Sequence, residues 1–182
     1  RQDKIKTVQM QAGGIPAGSY PEELSVCLSR VAGLRIAAAR LLLSETPAVS
    51  YEVAMPKGKE RADFGVPGVF TFFGVDAGLA CFADSALSEE NRIFFEQWEK
   101  ENPGKNKYLD YFAALFKESC QAHPEFQNQG TGFLEWKLPK SGNRAVLFSS
   151  GMGDGIYSGY WGLDAEWETI SLTVVFMNPE YF

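Results

Sequence analysis

The sequence is poor in the residues on which much enzyme chemistry rests. It has one histidine, His123, and three cysteines in 182 residues. One imidazole cannot build a multi-histidine metal site. Any Ser–His or Cys–His pair would have to use His123, which stands before Pro124 after a helical stretch and is expected at the surface. No P-loop, no G-x-G-x-x-G after a strand, no G-x-S-x-G elbow and no H-E-x-x-H occurs. No catalytic residue, metal ligand set or cofactor is therefore assigned. The longest apolar stretch, Ile36–Leu43, is interrupted by Arg40, so no membrane-spanning helix is expected. Positive charge is also short. Seventeen Lys and Arg against 23 Asp and Glu leave a net charge of −6. That balance offers no basic footprint for nucleic acid or for anionic lipid. Cys27, Cys81 and Cys120 are odd in number and far apart. They suit free, mostly buried thiols in a reducing, cytoplasmic compartment, with one disulfide and a spare thiol as the alternative. The chain starts at Arg1 rather than Met, as a piece or a processed product would, so an upstream signal is not read.

What is present is an ordinary globular composition, 45% hydrophobic and 22% charged. The length suits a single domain over 1–182, with 1–11 as a partial or variant lead-in. Such a chain buries roughly 70% of its unfolded surface and needs no disulfide to fold. Fourteen Phe, seven Tyr and four Trp predict an aromatic core.

Periodicity gives the order of elements. Lys4–Gln11 alternates loosely. Glu23–Ser29 alternates with Leu24, Val26 and Leu28 on one side. Leu34–Leu43 reads as a strand carrying Leu34, Ile36, Ala38 and Arg40 on one face, although its alanines also suit a helix. Val49–Met55 alternates again. Residues 56–68 form an exposed loop, and Val69–Phe73 and Leu79–Ala83 are short β-like runs. Asp84 or Ser85 caps a helix that Asn102-Pro103-Gly104 stops. Tyr108, Tyr111, Phe112, Leu115, Phe116 and Ser119 share one face of a second helix, ended by His123-Pro124. Gly132–Leu138, Ala145–Phe148 and Thr169–Met177 return to β, with turns at Ser141-Gly142-Asn143 and Asp164-Ala165-Glu166. The expected fold is α+β: a mostly antiparallel, sandwich-like β-sheet structure with two central α-helices between N- and C-terminal strand groups.

Two acid–glycine turns hold the candidate site. Ser149–Asp164 packs five glycines, two acids and three aromatics into 16 residues. Asp154 between Gly153 and Gly155 suits a tight turn whose carboxylate accepts neighbouring amides. The same segment also suits a pocket rim walled by Tyr157, Tyr160 and Trp161. Gly74-Val75-Asp76-Ala77-Gly78 is the second turn. Asp76 and Asp154 lie 78 positions apart. If they converge, they suit a hard cation or a two-carboxylate hydrolase. Sequence spacing does not show whether they do.

Four stretches carry a family likeness: Ile15–Pro21, Arg35–Leu41, Gly74–Asp84, and Phe148–Gly155 continuing through Tyr160–Asp164. On these the chain resembles the bacterial domain-of-unknown-function family 4241. The likeness implies a compact bacterial domain and brings no activity with it. It marks Asp76, Gly78, Asp154, Gly155, Tyr160, Trp161 and Asp164 as motif positions, which a stability role explains equally well. The family's usual turn after Asp164 carries a glycine where this chain has Trp167 nearby, so that hairpin is expected to differ.

The leading functional expectation is a non-enzymatic binding domain, immunity-type or otherwise partner-binding, with a protein partner and neither nucleic acid nor membrane. An acidic surface steers a basic partner. The alternative is small-molecule or carbohydrate binding, or hydrolysis, at a site formed by the Asp76 and Asp154 turns.

Overall fold

The computed structural model describes residues 15–16, 18–128, 132–178 and 180. The strand expected over Lys4–Gln11 lies outside them. The described chain is α+β, with ten strands in antiparallel sheets and two helices between the N- and C-terminal strands. It forms two compact units: residues 1–79 with 150–182, and residues 80–149.

The first unit is built on β1 (Glu22–Ser29), β2 (Gly33–Leu42), β3 (Ser50–Ala54), β9 (Gly159–Leu163) and β10 (Thr169–Val175). Their order across the sheet is β1-β2-β10-β9-β3. Register aligns Leu24, Ala39, Val174, Gly159 and Ala54 in one row, and Ala39, Val174 and Ala54 are fully buried. The neighbouring row on that face runs Glu22, Leu41, Leu172, Trp161 and Glu52. The opposite face carries Glu23, Arg40, Thr173, Tyr160 and Val53. The β-branched and apolar residues of β10 make it the central strand, because both its faces are covered.

Two details correct the simple alternation. Ser25 pairs with Ala38 but Val26 pairs with Ile36, so Ala37 is an extra residue in β2. This bulge parts Ile36 from Ala38 and Arg40, and Ile36, Ala37 and Ala39 all become buried. Leu28 is 77% exposed rather than facing the core with Leu24 and Val26. It stands where β1 and β2 run on as a two-stranded ribbon past the last β10 pair at Ala38. The short run expected over Val69–Phe73 is displaced as well. The strand is β4 (Phe73–Val75), because β8 (Gly155–Tyr157) supplies its partner there.

Glu22 opens β1 on the apolar face, and its Oε2 is buried without a hydrogen-bond partner. Burial pushes its carboxyl from the usual 4.5 up to about 7. The folded state thus holds a proton between these values that the unfolded chain has lost. Stability should fall as pH rises through that window. Glu22→Gln removes the slope. Thermal unfolding of both proteins should coincide near the lower pH. By about pH 8 the variant should lead by about 1–2 kcal/mol, after discounting for the half-exposed side chain. Parallel pH profiles would refute this.

The second unit holds the helices. Asp84 caps α1 (Ser85–Glu101) by accepting from the Leu87 amide at 2.6 Å. The second helix departs from a regular α-helix at its start. Asn106 accepts from the amides of Tyr108 and Leu109, while Asp110 accepts from Asn106 N–H. A π-turn segment, Lys107–Phe112, then runs into α2 (Ala113–Ala122). Phe95, Phe112, Leu134, Trp136 and Leu138 form a buried cluster, flanked by Phe94, Trp98, Tyr111, Leu115 and Phe116. The helix face anticipated by the 3-4 spacing therefore meets β6 (Phe133–Lys137) and the aromatic face of α1. Gln127, 2% exposed, joins Ser119 to the Phe133 amide through its two amide ends. β7 (Arg144–Ser149) pairs with β6, and β5 (Leu79–Cys81) completes a sheet of order β5-β7-β6.

No disulfide joins Cys27, Cys81 and Cys120. Cys81 is exposed rather than buried, because it ends the edge strand β5. No described helix is long and apolar enough to cross a membrane.

Candidate functional site

The two acid–glycine turns meet. Asp154 Oδ1 accepts from the Gly78 amide at 2.7 Å. Gly78 in turn offers its carbonyl to the Ser150 amide at 3.0 Å. Below this clasp β4 and β8 pair, with Val75 opposite Gly155 and Phe73 opposite Tyr157. The approach is close. A Cβ on Gly78, whose φ is +64°, would stand 3.4 Å from the Gly153 Cα.

The glycine-rich turn is held by its own polar groups. Ser150 is fully buried and donates from Oγ to the Gly153 carbonyl at 2.8 Å. Tyr157 donates from its hydroxyl to the same carbonyl at 2.8 Å, and its ring packs on Phe73 and Phe176. Burial is the main cause that raises the Tyr157 phenol above its usual range, and the negative Asp154 adds to it. The phenol stays protonated and remains a donor. Gly155 lies close beneath this ring, since a Cβ there would stand 2.9 Å from the Tyr157 Cζ.

The other candidates part company. Tyr160 and Trp161 are successive residues of β9, so they project to opposite faces of the sheet. Tyr160 lies in the row of Thr173 and Val53, and Trp161 in that of Leu172 and Glu52. They do not wall one pocket together. Asp164 begins the β9–β10 hairpin, and its Oδ1 accepts from the amides of Glu166 and Glu168 at 3.0 and 2.9 Å. Asp76 is exposed in the bend before Gly78. Among the described residues no group of three His, Cys, Asp or Glu is placed to hold a metal ion. His123 caps the end of α2, with its ring 5.5 Å from that of Phe133.

A family model for a protein of unknown function, DUF4241, matches residues 9–174. The chain is a member of the DUF4241 family. No curated protein and no solved structure matches it. The matched span takes in both turns, and in this DUF4241 member four of their residues have a packing explanation: Asp154 ties the turns, and Gly78, Gly151 and Gly155 have close neighbours.

Sequence reasoning missed two features of this DUF4241 chain. The first is the ordered loop after β3. Glu60 and Asp63 cap a short 3-10 turn, Arg61–Asp63, and Arg61 Nη1 pairs with Glu52 at 3.3 Å. Further on, Phe64 and Phe70 set their rings edge-on to Phe72, at 5.5 and 6.2 Å. The mixture of Lys, Gly and Pro marked the segment as a loop. Its spaced phenylalanines were the unused signal. The second feature is Trp167, which stands at the hairpin tip with φ +66° and is 68% exposed.

Proposed function

We propose that this DUF4241 chain is a non-enzymatic domain that binds another protein through the loop 56–72. One observation carries the reading: Phe64, Val66 and Phe70 are exposed on a loop that is already ordered. Backbone bonds from Lys59 to Pro56, Val66 to Asp63 and Val69 to Val66 hold its course. A long ordered loop with apolar tips suits a binding role rather than a connection. Aromatic side chains make effective interface anchors, and an ordered loop loses less entropy when it docks. Lys57, Lys59 and Glu60 supply the polar rim that such contacts use. The immunity-type form of this reading, in which a basic protein is held, draws on the overall net charge of −6. The hydrolytic reading gains no support, because one Asp154 oxygen is engaged by Gly78.

Site-specific photocrosslinking in the cells that encode the protein tests this. The photoreactive residue p-benzoylphenylalanine replaces Phe70, and in a control it replaces Leu109, which is also exposed. A discrete adduct is expected at Phe70 and not at Leu109. Combining Phe64→Ser with Val66→Ser should reduce it about 10-fold without altering the circular dichroism. Identical adducts at both positions, or none at Phe70, would overturn the proposal.

A further inference from the structure

We infer that the β9–β10 hairpin tip is a contact for a cationic protein surface, in which Trp167, flanked by Glu166 and Glu168, receives an Arg or Lys side chain of the partner. The inference rests on the protein-binding reading above and adds the contact through which a basic partner is held.

The hairpin is a tight turn. Trp167 N–H donates to the Asp164 carbonyl at 3.2 Å, and Asp164 N–H donates to Glu168 O at 3.1 Å. Such a turn needs its last residue in the left-handed region, where glycine fits without cost. Tryptophan stands there instead, with φ +66°. The side chain gains little from the fold, being 68% exposed. A bulky apolar residue that is both strained and solvated is poorly explained by stability. Trp167 is not alone. Val49, also exposed, donates its amide to Leu163 O at 2.8 Å and so lies at the same end of the sheet. The occupant follows from charge. Glu166 and Glu168, the chain neighbours of Trp167, are exposed, and the third acid, Asp164, is turned to the backbone amides. No Lys or Arg occurs from residue 145 onward. An indole face with adjacent carboxylates suits a guanidinium, which stacks on the ring while its N–H groups meet the acids.

The test titrates the full chain, labelled with 15N, with a capped Ala-Arg-Ala-Arg-Ala peptide and with its citrulline counterpart. The citrulline peptide keeps the shape and removes the charge. Trp167→Phe identifies the Trp167 indole signal. The arginine peptide should shift that signal and the Glu166 and Glu168 amides, more strongly at about 20 mM than at about 150 mM salt. The citrulline peptide should not. Trp167→Gly should bind about 10-fold more weakly while melting about 2 °C higher, which shows that the variant folds. Glu166→Gln with Glu168→Gln should weaken binding similarly, and Phe64→Ser with Phe70→Ser should leave it unchanged. Equal shifts by the two peptides would overturn the inference, as would undiminished binding by Trp167→Gly. A tip that fails while the Phe70 adduct persists would sink this inference alone. The reverse result would sink the loop reading alone.

Discussion

Phe95→Ala is expected to lower the stability of the helical unit by about 3–5 kcal/mol, the usual range for deleting a buried phenyl ring. Phe95 is 4% exposed, and its ring centroid lies 4.9–6.2 Å from those of Phe94, Trp98, Tyr111, Phe112 and Trp136. These rings come from α1, the π-turn segment and β6, so the void would face rigid neighbours on several sides. Collapse is limited, and limited collapse is what makes a cavity costly. Aromatic pairs also contribute beyond their area. Phe95→Leu keeps most of the volume and should cost about 1.5 kcal/mol. Urea unfolding followed by tryptophan fluorescence reads the effect, since Trp98 and Trp136 sit beside Phe95. A loss below about 1.5 kcal/mol for the alanine variant would show that the cluster repacks freely.

Gly151→Ala should cost about 3 kcal/mol and lower the melting midpoint by roughly 6–12 °C. Two effects add. The residue has φ +58°, where a Cβ is disfavoured. The new Cβ would also stand 2.9 Å from the Phe176 Cβ, 3.4 Å from the Phe176 carbonyl carbon and 3.5 Å from the Ile36 carbonyl. These are backbone or near-backbone atoms, so relief requires the turn itself to move. Gly58→Ala separates the two effects. Gly58 has φ +82° and open space around its Cβ direction, so only the conformational cost of about 1–2 kcal/mol remains. Thermal unfolding of the two variants should therefore differ clearly. Equal midpoints would mean that Phe176 yields without cost.

The candidate site was partly legible. The glycine and aspartate content of 149–164 marked a turn in which Asp154 accepts neighbouring amides; Asp154 accepts instead from the amide of the distant Gly78. The identity of its donor was not legible, because Gly78 lies 76 residues away and no local pattern encodes that pairing. Tyr160 and Trp161 looked like two walls of one pocket by proximity in sequence. The period of two in a strand sends them to opposite faces. Trp167 attracted notice only as a departure from a family glycine. Its exposure and positive φ emerged with the hairpin geometry.

By itself the sequence determined the coarse order of strands, two helices and strands, the Asp84 cap, the helix face from Tyr108 to Phe116, the aromatic core and the family; the strands β8 and β9 inside the glycine-rich segment it did not. Each feature it determined depends on neighbours within one or two turns, or on composition, so short-range physics suffices. Only the tertiary structure decided which strands pair, where Ala37 bulges, that Leu28 lies beyond the cover of β10, and that hydrogen bonds at Gly78 join two distant turns. Those outcomes are set by contacts between residues far apart in the chain. Register and burial there depend on which partner arrives opposite, and the local pattern is the same whichever partner it is.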